Sequence, residues 1–303
     1  VSDASPDEAR ATGALRFALL GDPVAHSKSP AMHAAAYRAL GMPHTYEAIR
    51  VSAGALGAEV LRLRSGEIAG FNVTVPHKRA ILAHVDVVAP SARACGAANT
   101  LLRAPDASIH AHNTDVPALA EELARLLPDR AGAWDSACAI VLGSGGAARS
   151  AVAALALHLG VRRVVVRARA FADRAAGERF VGELLPLLGD AAKRTEIRAE
   201  GFLPAPDVER DTHVVVQATS AGMSSASPGE AAAEAVAWSD LPPRAVALDV
   251  VYAPADTPFL RAAEAHGLRS ANGIGMLARQ GALAFELWLG VPAPYNAMLA
   301  ALL

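Results

Sequence analysis

Hydrophobic and polar positions follow two periods along this chain, and together they sort most of it into strands and helices. The apolar run 15–20 reads as a buried strand. A polar loop, GDPVAHSKSP, follows, and then a helical pattern over 30–40 that Gly41 and Pro43 stop. Residues 44–51 predict a second strand, 54–64 a helix, and 70–75 a third strand running into Pro76. The short runs 98–103 and 108–112, parted by Ala-Pro-Asp, predict a hairpin. After NTDV a helix extends to about 127, and 128–135 is a turn-rich break. A second series then predicts strand 139–142, helix 147–159, strand 161–166, a long helical stretch, strands 213–216 and 245–251, and helix 258–266. Strands alternating with helices imply parallel sheets in an α/β protein. The last long helix, 274–289, is apolar nearly all round, so it must be buried between layers and is a candidate to return to the first part of the chain.

Length adds the expectation of two domains, because 303 residues exceed what one core usually organises. The boundary is expected between Asp115 and Asp135. A 52% hydrophobic and 19% charged composition is that of a folded globular protein and excludes disorder. The 28 basic and 30 acidic residues form no block of one sign, so neither nucleic acid nor an anionic membrane is an expected partner. Cys95 and Cys138 stand far apart outside any CxxC, which indicates neither a disulfide framework nor a thiolate metal site and fits a reducing cytoplasm. The first dozen residues lack the regions of a signal peptide and read as a loose tail, and no apolar run is long enough to span a bilayer. Of ten histidines, the nearest pair is His110 and His112 without a ligand set around it, so no metal is expected.

Candidate chemistry sits at the ends of the strands. Ser29 before Pro30 reads as a helix N-cap with proline at the first position, whereas Ser27 is not explained that way and suggests a bound anion. In FNVTVPHK, Asn72 and Thr74 lie on one side of a strand, and Lys78 falls in the first turn of a helix opened by Pro76. A cation there is disfavoured by the helix dipole, which would lower its pKa and suit it to proton transfer; a flexible lysine reaching for water is the alternative. AANT and HNTDVP place Asn99 and Asp115 at further strand ends. Asp115 either caps the next helix or holds the Lys78 ammonium toward a substrate oxygen.

The stretch CAIVLGSGGAARSAVAAL is a strand, a glycine turn and a helix. Gly143, Gly145 and Ala148 fit the GxGxx[GA] spacing that lets a pyrophosphate approach a helix N-terminus, although a turn that binds nothing has the same composition. Where an NAD site expects an acid at the end of the next strand, this chain has Arg167 and Arg169, with Asp173 the nearest carboxylate. That favours NADP, unless both arginines are simply solvated. Lysine and aspartate beside such a domain imply carbonyl reduction.

With GDPVAHSKSPAMH, GFNVTVPHK, GAANTL, NTD, VLGSGGAARS, QATSAGM, DVVYAPADTP and NGIGMLARQGALAFELWLG in this order, the chain resembles the shikimate/quinate dehydrogenase family from about Leu19 to Gly290. The resemblance implies an open α/β substrate domain of 1–115 and 275–303, and a Rossmann-like NADP-binding domain of 116–274. Lys78 and Asp115 become the catalytic pair, Ser27 and Ser29 hold a carboxylate, and Asn72, Thr74, Asn99, Tyr252 and Gln280 reach the remaining substrate groups. Gly143, Gly145, Gly146, Ala147, Arg167, Arg169, Thr219, Gly275 and Met276 are the implied cofactor contacts. The implied reaction is reversible NADPH-dependent reduction of 3-dehydroshikimate to shikimate, in aromatic amino acid biosynthesis, without a metal. The SxS serines incline the choice toward shikimate over quinate, and a homodimer is a compatible assembly. Three departures stand out: RARAF replaces Asn-Arg-Thr, NTDVP replaces NTDG, and Asn272-Gly273 replaces Asp-Gly. The rival readings are an NAD-dependent quinate/shikimate dehydrogenase and a non-catalytic regulatory module of the same fold.

Overall fold

A computed structural model describes residues 13–127, 137–223 and 227–303. The expected N-terminal tail, the break over 128–135 and the start of the SSASPGEAAAEA loop lie outside the described residues. The chain divides into two compact units. One holds residues up to Arg93, Ala97–Thr114 and Leu277–Leu303, and the other Ala94–Gly96 and Asp115–Met276.

The first unit is built on a six-stranded sheet of β1 (Arg16–Gly21), β2 (Thr45–Arg50), β3 (Gly70–Val73), β4 (Val87–Val88), β5 (Thr100–Arg103) and β6 (Ile109–His112), in the order β2-β1-β3-β5-β6-β4. Helices α1 (Ser29–Ala39) and α2 (Leu56–Ser65) follow β1 and β2, and such crossovers leave β1, β2 and β3 parallel. The short connection from β5 to β6 can only reverse the chain, so β3, β5 and β6 pair antiparallel and the sheet is mixed, not wholly parallel. Leu56, Val60 and Leu63 of α2 bury against Phe71, Leu101 and Ile109. Each such side chain contributes about 1.5–3 kcal/mol when fully removed from water.

The second unit carries β7 (Cys138–Leu142), β8 (Arg163–Arg167), β9 (Glu196–Glu200), β10 (Thr212–Gln217), β11 (Val246–Asp249) and β12 (Arg269–Ala271), all parallel in the order β12-β11-β10-β7-β8-β9. The order reverses at β7, and in open parallel sheets that reversal leaves a crevice beyond the strand ends. Around the sheet lie α3 (Asp115–Leu126), α4 (Gly146–Ala153), α5 (Arg174–Leu184) and α6 (Pro258–Ala265). The single helix expected over 147–159 is α4 followed by a π-helical stretch, Ala154–His158. Inside the expected long helical stretch, β9 was missed: it is an edge strand whose EIRAE alternation buries only Ile197 and so mimics a charged helix.

Helix α7 (Ile274–Leu289) has the bounds expected from its apolar run, and α8 (Tyr295–Ala300) packs on α1. Trp288 near the end of α7 stacks on Phe17 of β1 at 4.8 Å and donates its indole N–H to the Leu101 carbonyl at 2.9 Å. Gly70 makes room for it, since a Cβ there would lie 2.4 Å from the indole nitrogen. No helix among the described residues is long and apolar enough to cross a membrane.

Candidate active site

In the first unit the polar residues gather where β1, β3 and β6 end and β5 begins. The loop after β1 packs so closely on the segment after β3 that a Cβ on Gly21 would meet Thr74 Cγ2 at 2.4 Å. Asp22 N–H donates to the Val75 carbonyl at 3.0 Å, and Thr74 N–H to the Leu20 carbonyl at 2.8 Å. The start of the loop that carries Ser27 and Ser29 and the Thr74–Val75 segment are thereby held side by side.

The helix-start role expected of Ser29 falls to Ser27. Ser29 is the first residue of α1 and makes no side-chain cap bond, whereas Ser27 Oγ accepts the Ser29 N–H at 3.2 Å. Ser27 therefore shapes the start of the helix, and its presence does not by itself require an anion. Ser29 is buried and Ser27 half-buried.

Lys78 departs from expectation too. Residues after Pro76 form a turn, not an α-helix, and the helical residues that follow are a short 3-10 segment, Ala80–His84. No α-helix starts at Lys78, so a helix dipole is not what acts on its ammonium. The Lys78 carbonyl instead accepts the Ala98 N–H at 2.7 Å, which fixes the lysine backbone beside Asn99.

A buried network links the strand ends. Asn72, opposite Thr100 in the sheet, donates through Nδ2 to the Asn99 carbonyl and to Thr100 Oγ1, both at 3.1 Å, while its Oδ1 accepts the Tyr46 hydroxyl at 2.8 Å. Thr100 donates on to Asn99 Oδ1 at 3.1 Å, which also accepts the Thr114 N–H at 2.8 Å. Asn99 Nδ2 reaches Thr114 Oγ1 at 2.9 Å and Gln280 Oε1 at 3.3 Å. Because the Asn99 carbonyl only accepts and the Thr114 N–H only donates, the backbone decides which way both amides face. Asp115, buried at 2% exposure, opens α3 immediately after Thr114. It is thus a helical residue, one place further in than a cap.

Among the expected substrate residues of this unit, the structure brings together Asn72, Asn99 and Gln280 through direct bonds and sets Thr74 against the Ser27 loop. Tyr252 follows β11 in the second unit and is half-buried. Sequence reading missed Tyr46, which belongs to β2 and reaches Asn72 across β1; strand register alone carries that relationship.

In the second unit the glycine turn ends β7. Gly143 has φ +117°, and a Cβ there would lie 3.0 Å from the Ala218 carbonyl and 3.1 Å from Thr219 Cγ2, so β7 and β10 ends touch through a glycine. A Cβ on Gly145 would meet nothing, so the start of α4 opens onto free space, and no side chain caps its amides. Gly146 and Ala147 form the first turn. At the start of α7, Asn272 Oδ1 accepts the Ile274 N–H at 3.1 Å and replaces the aspartate that resemblance led one to expect. Gly273 and Gly275 press on the Val250 carbonyl and the Glu122 carboxylate, and Met276 is buried beside them in sequence.

Arg167 is a correction. Its guanidinium is wholly buried and donates to Glu209 Oε1 at 2.6 Å, to Glu209 Oε2 at 3.1 Å and to the Ala235 carbonyl at 2.9 Å. An arginine so enclosed cannot meet a cofactor phosphate. Arg169, two residues on, is exposed.

Known proteins resemble this chain over nearly its whole length. Residues 19–101 match the family description "Shikimate dehydrogenase substrate binding domain", and 273–303 match "Shikimate 5'-dehydrogenase C-terminal domain". The chain is 40% identical over 279 residues to the shikimate dehydrogenase (NADP(+)) of Methylobacterium radiotolerans, covering 91% of each. It superposes with TM-score 0.75 and 37% identity on the Thermus thermophilus shikimate 5-dehydrogenase solved with NADP(H) and shikimate, over 95% of this chain and 98% of that one. A Listeria monocytogenes shikimate 5-dehydrogenase solved with shikimate and NAD aligns at TM-score 0.78 and 26% identity, over 96% and 97%. Likeness of this degree runs through both units, and the chain belongs to the shikimate dehydrogenase family.

Proposed function

We propose that the chain is an NADP-dependent shikimate dehydrogenase that interconverts 3-dehydroshikimate and shikimate, serving aromatic amino acid biosynthesis in a reducing cytoplasm. The observation that carries the reading is the Asn72–Thr100–Asn99–Gln280 network at the strand ends, beside the pinned Lys78 backbone. A set of oriented amides and hydroxyls next to a lysine suits a polyhydroxylated carbonyl substrate.

Ser27, Ser29 and the start of α1 hold the substrate carboxylate, where two hydroxyls and the helix dipole favour an anion. Asn99 and Gln280 meet at 3.3 Å, a long hydrogen bond into which a substrate hydroxyl exchanges readily. Thr74, Tyr252 and the remaining acceptor capacity of Asn72 Oδ1 reach the other groups. Lys78 gives its proton to the oxygen of the reacting carbonyl and takes it back in the reverse direction, and Asp115 holds the ammonium in place. Aligning the carbonyl beside that donor is most of what the protein contributes.

The dinucleotide fits the second unit on the ground of Gly143 and Gly145: one brings two strand ends into contact, the other leaves the α4 amides uncovered. Gly146, Ala147, Thr219, Gly275 and Met276 complete the set, and Arg169 reads the 2'-phosphate. When bound, NADPH supplies the hydride that the carbonyl carbon receives. The test is initial rates with NADP and NAD against shikimate and quinate. NADP with shikimate is the expected best pair; a preference for NAD with quinate overturns the reading, and no turnover with any pair favours a binding module.

A further inference from the structure

Behind the amide network lies a buried pair of rings that nothing in the proposed chemistry uses. His33 of α1 is fully buried and stacks on Tyr46 with centroids 4.2 Å apart and planes 5° from parallel. Neither ring nitrogen of His33 makes a hydrogen bond of good geometry, although the Asn72 side chain lies near enough to favour the charged ring, so the imidazole's main offering here is a flat surface. Trp288 and Tyr37 tilt against the same imidazole at 5.6 and 6.1 Å, enclosing the stack in an aromatic block. From that block the Tyr46 hydroxyl crosses β1 and donates to Asn72 Oδ1 at 2.8 Å. Asn72 spends both Nδ2 hydrogens on β5 and the residue before it, so the Tyr46 hydroxyl closes the side of the amide that faces the block.

We propose that Tyr46, held by the His33 ring, is a positioning residue for substrate hydroxyl recognition. It anchors the Asn72 amide, and through Thr100 the Asn99 amide that links to Gln280. The inference rests on the proposed shikimate reading of this site. Removing the hydroxyl takes away the 2.8 Å bond that holds Asn72 Oδ1 on the side of the block, and the amide is then less firmly kept in register. A ring that only filled space would lower stability without selecting between the two substrates.

The test is Tyr46→Phe, which keeps the ring and the stack. The expected result is a KM for shikimate raised about tenfold, with kcat within about threefold and KM for NADP unchanged. A shikimate KM within about twofold of wild type overturns the proposal, as does an equal rise in both KM values. Should that variant fail to fold, His33→Ala removes the lateral support and is expected to raise the shikimate KM alone by a few-fold; an unchanged value overturns the proposal. Wild-type turnover of shikimate with NADP is read first: its absence sinks the proposed function and this inference together, whereas normal wild-type turnover with an unaffected Tyr46→Phe sinks this inference alone.

Discussion

Arg167 and Glu209 close on each other through two side-chain hydrogen bonds, 2.6 and 3.1 Å long, with neither side chain exposed. The pair ties the end of β8 to the Pro206–Glu209 turn, and Glu209 further accepts the N–H groups of Ala205 and Ala237. Removing the arginine strands a buried carboxylate, a loss of about 3–5 kcal/mol. Arg167→Met is expected to lower stability by that amount in denaturant unfolding, while the NADP to NAD ratio of kcat/KM in the folded fraction stays put. Arg169→Ala is expected to do the reverse, lowering kcat/KM for NADP about tenfold with NAD unaffected.

Lys78→Ala and Asp115→Asn test the proton path. Loss of a positioned acid–base group is expected to reduce kcat by about 10²–10⁴-fold with a small change in KM. Steady-state rates in both directions decide it, and a Lys78→Ala enzyme with full turnover removes lysine from the chemistry.

Asn99→Asp keeps the acceptor for the Thr114 N–H but loses both donors, to Thr114 Oγ1 and Gln280. The shikimate KM is expected to rise about tenfold or more, and stability to fall by about 1–3 kcal/mol. Shikimate titration and thermal melts read the two effects separately.

Gly70→Ala places a methyl 2.4 Å from the Trp288 indole nitrogen. The ring must move off the sheet and give up its bond to the Leu101 carbonyl, for an expected loss of about 1–3 kcal/mol. A blunted indole environment in near-ultraviolet circular dichroism should accompany a lower Tm; an unchanged Tm shows that Trp288 yields freely.

Two buried groups give stability opposite pH dependences. Burial pushes Asp249 up to about 6 from 3.8, against the Thr257 hydroxyl and Val251 N–H that favour its charge. Its folded form holds the proton more tightly than the unfolded chain, so this contribution is full below about 3.8 and is lost as pH rises through about 6. His33 is pushed down to about 3 from 6.5 by burial, which outweighs the opposing influence of the Asn72 side chain, so its contribution is full above 6.5 and is lost as pH falls toward about 3. Each slope approaches about 1.4 kcal/mol per pH unit where the two windows overlap. On acidification from about pH 6 to 4.5, Tm of Asp249→Asn should fall more steeply than wild type, and that of His33→Phe less steeply. Parallel melting curves for all three proteins contradict both assignments.

What could be read from the chain alone follows from local physics. The apolar run of α7 has its observed bounds because a helix hydrophobic on every side stays helical wherever it is buried. The glycine turn after β7 was legible because Gly143 marks backbone whose geometry other residues resist, and Gly145 follows it at the spacing that leaves a helix start bare. The turn at Lys78 was not legible because proline at a helix start and proline at a turn look alike along the chain, and the bond from Ala98 to the Lys78 carbonyl comes from a distant segment.

By itself, then, the sequence determined most of the elements, the α/β class and the residue types at the strand ends, since these depend on neighbours along the chain. Only the tertiary structure decided that Arg167 is spent on Glu209, that Ser27 rather than Ser29 takes a helix-start N–H, and that Tyr46 and Asn72 meet across an intervening strand. Those relationships depend on register, burial and hydrogen-bond direction between residues brought together by folding, and identical side chains in another register would make different bonds.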